Sequence, residues 1–192
     1  GRDVTPYWQT VEDNVIGRIV DELEASSEYQ ARRAAILDYN RASPVIRKGI
    51  ALTPVKFGIS FTATWYNQAG ALVHVYTDGS LQLNHGGTEM GQGLYTKVAQ
   101  VLADEFQVDL ACIRVTATST GKVPNTSATA ASSGTDLNGM AAADAARQIK
   151  ERLVAFACER WQTTADQVRF VPNHVSVAGR EIPFPEFIRE AY

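Results

Sequence analysis

The sequence predicts an α+β protein: a mixed, largely antiparallel sheet packed with helices and preceded by an N-terminal helical arm. Three observations carry this reading. Strand-like alternation clusters around a hairpin signal at Asp78-Gly79, helical periodicity follows each of two small-residue loops, and two helical segments stand ahead of the first strand. The expected division is an arm over residues 1–45 and a ligand-gripping domain over residues 46–192.

In the arm, Val15, Ile16, Ile19, Val20 and Leu23 share one face of a helix expected over Thr10 to Glu24, with Glu12 and Asp13 in its first turn where the helix dipole favours them. Ser27-Glu28-Tyr29-Gln30 has the form of a capping box for a second helix reaching Ala42, before Ser43-Pro44. Strands are expected at Ile50-Ala51-Leu52 and from Phe57 to Trp65, a turn at Asn67 to Gly70, and a strand from Ala71 to Tyr76. The Asp78-Gly79 hairpin returns the chain through Ser80 to Asn84, which alternates as a half-buried strand does.

A helix from Leu94 to Phe106 follows, then a strand from Ile113 to Ala117. The small-residue run from Ser119 to Gly134 enters a long helix whose inner face is expected at Leu137, Ala141, Ala145, Ile149 and Leu153. Thr164 to Gln167 opens a short turn, Val168 to Val177 reads as a hairpin around Pro172-Asn173, and Phe184 to Tyr192 is amphipathic.

Composition bounds the function. With 192 residues, 45% hydrophobic and 20% charged, the chain is one globular domain or a unit of something larger. Its net charge of -3 gives no reason to expect nucleic acid or an anionic membrane. No apolar run approaches the roughly 20 residues of a spanning helix, and no signal-peptide core follows Gly1 to Pro6. A cytoplasmic location is expected. Cys112 and Cys158 are too few for a zinc or iron–sulfur framework and are expected as reduced core residues.

The stretch His85-Gly-Gly-Thr-Glu-Met-Gly-Gln-Gly93 links a strand to a helix through four glycines, an arrangement in which backbone N–H groups can converge on an anion. It is neither a dinucleotide fingerprint nor a P-loop, because its spacing is wrong and no Gly-Lys-Ser/Thr closes it. The second loop repeats the logic: Thr129, Ser132 and Ser133 supply hydroxyls, while Ala130, Ala131 and Gly134 permit close approach. If the two preceding strands share a sheet, both helix N-termini face one edge and together suit a large phosphorylated cofactor, with Gln92 offering an amide. Bare polar loops that only turn the chain remain the alternative. Glu89 has no second carboxylate or histidine at a motif spacing, and His74 and His174 sit in expected strand and hairpin positions, so no catalytic residue is assigned.

The segments Lys56 to Thr62, Asn67 to Ala71, His74 to Gly79, His85 to Gly93 and Thr129 to Ser132 resemble, in order, the molybdenum-cofactor-binding portion of the xanthine dehydrogenase family. The similarity runs from about Thr5 to Tyr192. It implies a molybdenum–pyranopterin cofactor with Met90, Gly91 and Gln92 on the first loop and Thr129, Ala130, Ala131, Ser132 and Ser133 on the second. It also implies a purine pocket lined by Phe61 and Thr62.

For the parent enzyme the resemblance implies purine hydroxylation in purine metabolism, with oxygen from water and electrons leaving through iron–sulfur clusters and FAD in other parts. Partners are then the remaining domains or subunits. Gly134 and Tyr66 depart from familiar family residues, and the family's Gly-Glu base and purine-orienting arginine and glutamate have no counterpart in these residues. The chain alone is therefore expected to be inactive. An aldehyde oxidase-type hydroxylase, and an isolated interaction module without cofactor, are the competing readings.

Overall fold

The computed structural model describes residues 3–5, 8–55, 57–58, 61, 63–122 and 126–192. These fall into two compact units, Gly1–Gly58 and Ile59–Tyr192. Together they contain five α-helices and two three-stranded sheets, one mixed and one antiparallel, which is the α+β class the pattern predicts. No helix among the described residues is long and apolar enough to cross a membrane.

The first unit holds α1 (Ile16–Ser26) and α2 (Tyr29–Ala42). α1 starts later than expected, so Glu12 and Asp13 precede it. They therefore lie outside the first turn in which they were expected, and the Asn14 side chain accepts the Ile16 N–H (3.2 Å) at the start of the helix. The capping box at Ser27 does not form either: Glu28 sits in the left-handed region at φ 53°, and the Ser27 hydroxyl turns back to donate to the Leu23 carbonyl (2.6 Å). Ile50 to Leu52 pairs with no strand among the described residues, and Lys48 is instead tied to Asn40 by two bonds of 2.9 Å.

In the second unit, Thr64 to Tyr66 makes a single 3₁₀ turn where a strand end was expected. Lys56, Ile59, Ser60 and Thr62 lie outside the described residues. An alternating pattern makes a strand only where another strand takes its N–H and C=O groups. Here Asn67 Nδ2 takes the Phe61 carbonyl (3.2 Å) instead.

β1 (Ala71–Val75) and β2 (Leu81–His85) form the predicted hairpin, antiparallel with Val73 opposite Leu83. Gly79, at φ 82°, packs on Pro185, and Asp78 accepts both the N–H and the hydroxyl of Ser80 (2.9 and 2.7 Å). α3 (Leu94–Phe106) then carries the chain over to β3 (Ile113–Val115), which pairs parallel to β2. β2 is thus the central strand. It is buried on both faces rather than half-buried: Leu81, Leu83 and His85 point one way, and Asn84 on the other face accepts the Thr116 hydroxyl.

α4 (Gly134–Trp161) packs on α3. Its buried row is Asn138, Ala142 and Ala146, one residue on from the expected row. Close approach to α3 selects the smallest side chains for the contact line, and Ala141, Ala145, Ile149 and Leu153 flank it half-buried. β4 (Val168–Val171) and β5 (His174–Val177) form the predicted hairpin, with Asn173 at φ 60°. β6 (Arg180–Pro183), which the pattern did not announce, completes the second sheet ahead of α5 (Phe184–Ala191). Phe106 joins the layers, its ring centroid 6.0 Å from Phe184 and 6.3 Å from Phe170. Cys112 is exposed in a 3₁₀ turn and Cys158 half-buried, so only the second touches the core.

Phe106 is fully buried, whereas Leu72 is 42% exposed on the outer face of β1. Phe106→Ala should therefore cost about 3–5 kcal/mol, and Leu72→Ala about 0.5 kcal/mol or less. Urea denaturation midpoints check this, and comparable losses at both sites would contradict the assigned core.

Candidate cofactor site

The parallel pairing of β2 and β3 puts the loops that follow both strands at one sheet edge. The first loop leaves β2 through His85, which is 2% exposed. Its Nδ1 accepts the Gly87 N–H (3.1 Å), so the neutral ring carries its proton on Nε2. Gly86 and Gly87 are needed for lack of a side chain. A Cβ at Gly86 would overlap Thr126, and one at Gly87 would lie 2.6 Å from Leu94 Cδ2.

Beyond them the loop is closed by its own side chains. Glu89 Oε1 accepts the N–H groups of Gly91 (2.9 Å) and Gly93 (3.0 Å), and its Oε2 accepts that of Tyr95 (3.0 Å). Gln92 donates to the Thr88 carbonyl (2.9 Å) and accepts the Met90 N–H (2.6 Å). Glu89, to which no catalytic role was assigned from sequence, is thus a cap on the first turn of α3, which satisfies N–H groups that have no acceptor within the helix.

Thr118, at the start of the second loop, ties the two loops together. Its hydroxyl reaches the carbonyls of Gly87 (2.9 Å) and His85 (3.1 Å), and its N–H donates to the Tyr95 hydroxyl (3.3 Å). With its proton directed to these carbonyls, the Thr118 oxygen receives the Tyr95 proton at 3.1 Å, which fixes every donor in the set. Thr129 makes the second tie by accepting the Thr88 N–H (2.8 Å). The loop then turns through Ala131 (φ 51°) and Ser132 (φ 56°), and the Ser133 hydroxyl donates to Ala130 (3.0 Å). Asn138 donates to the Gly134 carbonyl (2.8 Å) from the first turns of α4.

Between the loops lies a cleft of about 390 Å³. Met90, Gln92, Thr129, Ala130, Ala131 and Ser132 line it. Gly91, at φ 97°, shapes the first loop. Ser133 instead faces a second cavity of about 280 Å³ with Phe61, Tyr66 and Asn67, and Ala130 borders both cavities. Thr62 lies outside the described residues.

Lys97 and Thr135 also line the cleft and were missed from sequence. The available signal for Lys97 was its place one turn into the helix that opens from the glycine loop. The cleft therefore combines an ammonium group, hydroxyls and the first turn of α4, whose N–H groups have no intrahelical acceptor. That donor set fits a phosphorylated group.

Two titrations report on this architecture. Burial lowers the His85 pKa, and the N–H groups of Tyr95, Gly93 and Gly91 lower that of Glu89. Both folded-state values lie below the unfolded ones, so each contribution is complete above the unfolded pKa and is lost as pH falls through the folded one. Stability should start to fall below about pH 6.5 through His85 and fall again below about pH 4.3 through Glu89. Glu89→Gln should lower the melting temperature at pH 7, and the deficit should close in acid. A deficit independent of pH would rule out a charge-assisted cap.

The chain matches the family model described as "Molybdopterin cofactor-binding domain" over residues 22–192. It is 50% identical over 151 residues to xanthine dehydrogenase of Dictyostelium discoideum, covering 79% of this chain and 11% of that protein. It is also 50% identical over 154 residues to xanthine dehydrogenase/oxidase of Mus musculus, covering 80% and 12%. The chain thus spans about a tenth of the length of the curated relatives it matches. Among solved structures, quinoline 2-oxidoreductase from Pseudomonas putida 86 is similar in fold (TM-score 0.70, 19% identity, covering 98% of this chain and 25% of that one). So is CO dehydrogenase from Oligotropha carboxidovorans (TM-score 0.60, 24% identity, covering 66% and 16%). Two small-residue loops joined at one sheet edge, a cleft suited to a phosphorylated group, and these similarities agree: the chain belongs to the molybdopterin cofactor-binding domain family.

Proposed function

We propose that this chain supplies the two cofactor-holding loops of a xanthine dehydrogenase-type molybdenum hydroxylase. The observation that carries the reading is the convergence of both loops on one cleft through the parallel β2–β3 pair. Of the expected residues, Met90 and Gln92 on one side and Thr129, Ala130, Ala131 and Ser132 on the other would hold the molybdenum–pyranopterin, with Gly91 and Ser133 shaping the loops that carry them. The Lys97 ammonium and the start of α4 face its phosphate. When bound, the group supplies hydroxylation of a purine carbon with oxygen from water.

The protein's own part is positional. Gln92 and Glu89 hold the shape of the first loop through bonds to its own backbone, which makes it a preorganised wall on which Gln92 still lines the cleft. The Phe61 ring would pack against the flat purine and the Thr62 hydroxyl would offer it a hydrogen bond, and residues 1–45 serve as an arm to the rest of the enzyme. Iron–sulfur clusters and FAD belong to the partner domains. The reading places the enzyme in cytoplasmic purine metabolism and makes the isolated chain inactive towards xanthine.

Nucleic acid and membrane are not among its partners, as the net charge of -3 favours. An interaction module is the second reading, favoured by the exposed apolar side chains Ile16, Ile19 and Leu23 of α1.

The test is the pterin and molybdenum content of the chain purified from cells that make the cofactor, read by oxidised-pterin fluorescence and elemental analysis. The wild-type chain should carry both. Lys97→Glu should lower retention about tenfold, equivalent to roughly 1.4 kcal/mol. Equal content in both proteins, or none in either, would remove the support for this assignment.

A further inference from the structure

Ser127 is a polar residue in the second loop for which the cofactor reading has no use, yet it makes three hydrogen bonds to a segment some sixty positions away. Its Oγ accepts the Gln68 N–H (2.8 Å) and donates to the Tyr66 carbonyl, and its own N–H donates to the Gln68 carbonyl (2.9 Å). A hydroxyl with one proton and free lone pairs satisfies both of its contacts at once. The segment it holds runs from Phe61 to Gln68, and Asn67 closes it by donating to the Phe61 carbonyl (3.2 Å).

This strap walls the cavity of about 280 Å³ on one side, and the second loop walls it on the other. Ala130 borders that cavity and the cofactor cleft alike, so the second loop is the partition between them.

We propose that Ser127 is a positioning residue, which fixes the Phe61-bearing strap to the cofactor loop so that the two cavities keep a constant separation across Ala130. The functional half of this statement rests on the reading of Phe61 as substrate-lining. The structural half does not. Ser127→Ala leaves the Gln68 N–H and the Tyr66 carbonyl without that partner, whereas Ser127→Thr keeps a hydroxyl in place.

The experiment is hydrogen exchange of the 192-residue chain by mass spectrometry, paired with equilibrium dialysis against xanthine. In Ser127→Ala, peptides covering 61–68 should exchange about three- to tenfold faster, while peptides covering 81–106 keep wild-type rates and show that the fold is intact. Ser127→Thr should restore protection. Xanthine retention should fall in the alanine variant and recover in the threonine variant. Unchanged exchange at 61–68 in Ser127→Ala overturns the proposal. Faster exchange with unaltered xanthine retention supports the tie and overturns the substrate-lining role of Phe61.

Discussion

Thr118 is the point on which the site depends. A parallel strand pair brings two strand ends together, but the loops beyond could diverge. Here one hydroxyl lies between the carbonyls at the start of the first loop, while its own backbone and oxygen engage Tyr95 on the helix that the loop opens. A half-buried threonine so occupied is costly to replace, because removing it strands several polar groups at once. The bond from Thr88 to Thr129 repeats the constraint farther out. Together these ties turn two loops that are each irregular into one wall.

That wall is built by spending its polar side chains internally. Glu89 caps α3, Gln92 closes on its own loop, Thr129 bridges the loops and Ser133 folds back on Ala130. Gln92 and Thr129, held in place by these bonds, still line the cleft together with Met90, Lys97, Ser132 and the small Ala130 and Ala131. Rigid, already satisfied loops lose little conformational freedom when they bind, and this is the advantage of preorganisation. Successive positive φ angles at Ala131 and Ser132 show the backbone held in a conformation that most side chains avoid.

The arrangement of the core follows from the same geometry. Two loops can meet only if α3 and α4 start close together, and the small buried residues of α4, with Gly139 beside Val101 of α3, permit that approach. The alanine-rich stretch announced close packing in the sequence, but a four-residue periodicity fits two neighbouring rows equally well. Which row turned inward was decided by α3. In the same way, the capping box at Ser27 was legible as a pattern, yet its hydroxyl found the Leu23 carbonyl first.

By itself the sequence determined the elements whose signals are local. The Asp78-Gly79 hairpin, the helix from Leu94 to Phe106, the turn at Asn173 and the two glycine- and serine-rich loops all follow from backbone sterics and apolar period within a few residues. Tertiary structure decided whatever needs a distant partner. Phe57 to Trp65 alternates like a strand but lacks a neighbour to pair with among the described residues, β6 exists because β5 offers an edge, and His85 is buried because β2 lies at the centre of its sheet. The same holds for Thr118, Lys97 and Ser127, whose roles arise only when segments far apart in sequence meet. A one-dimensional pattern records what a residue prefers, and the partner that satisfies its hydrogen bonds is a property of the folded chain.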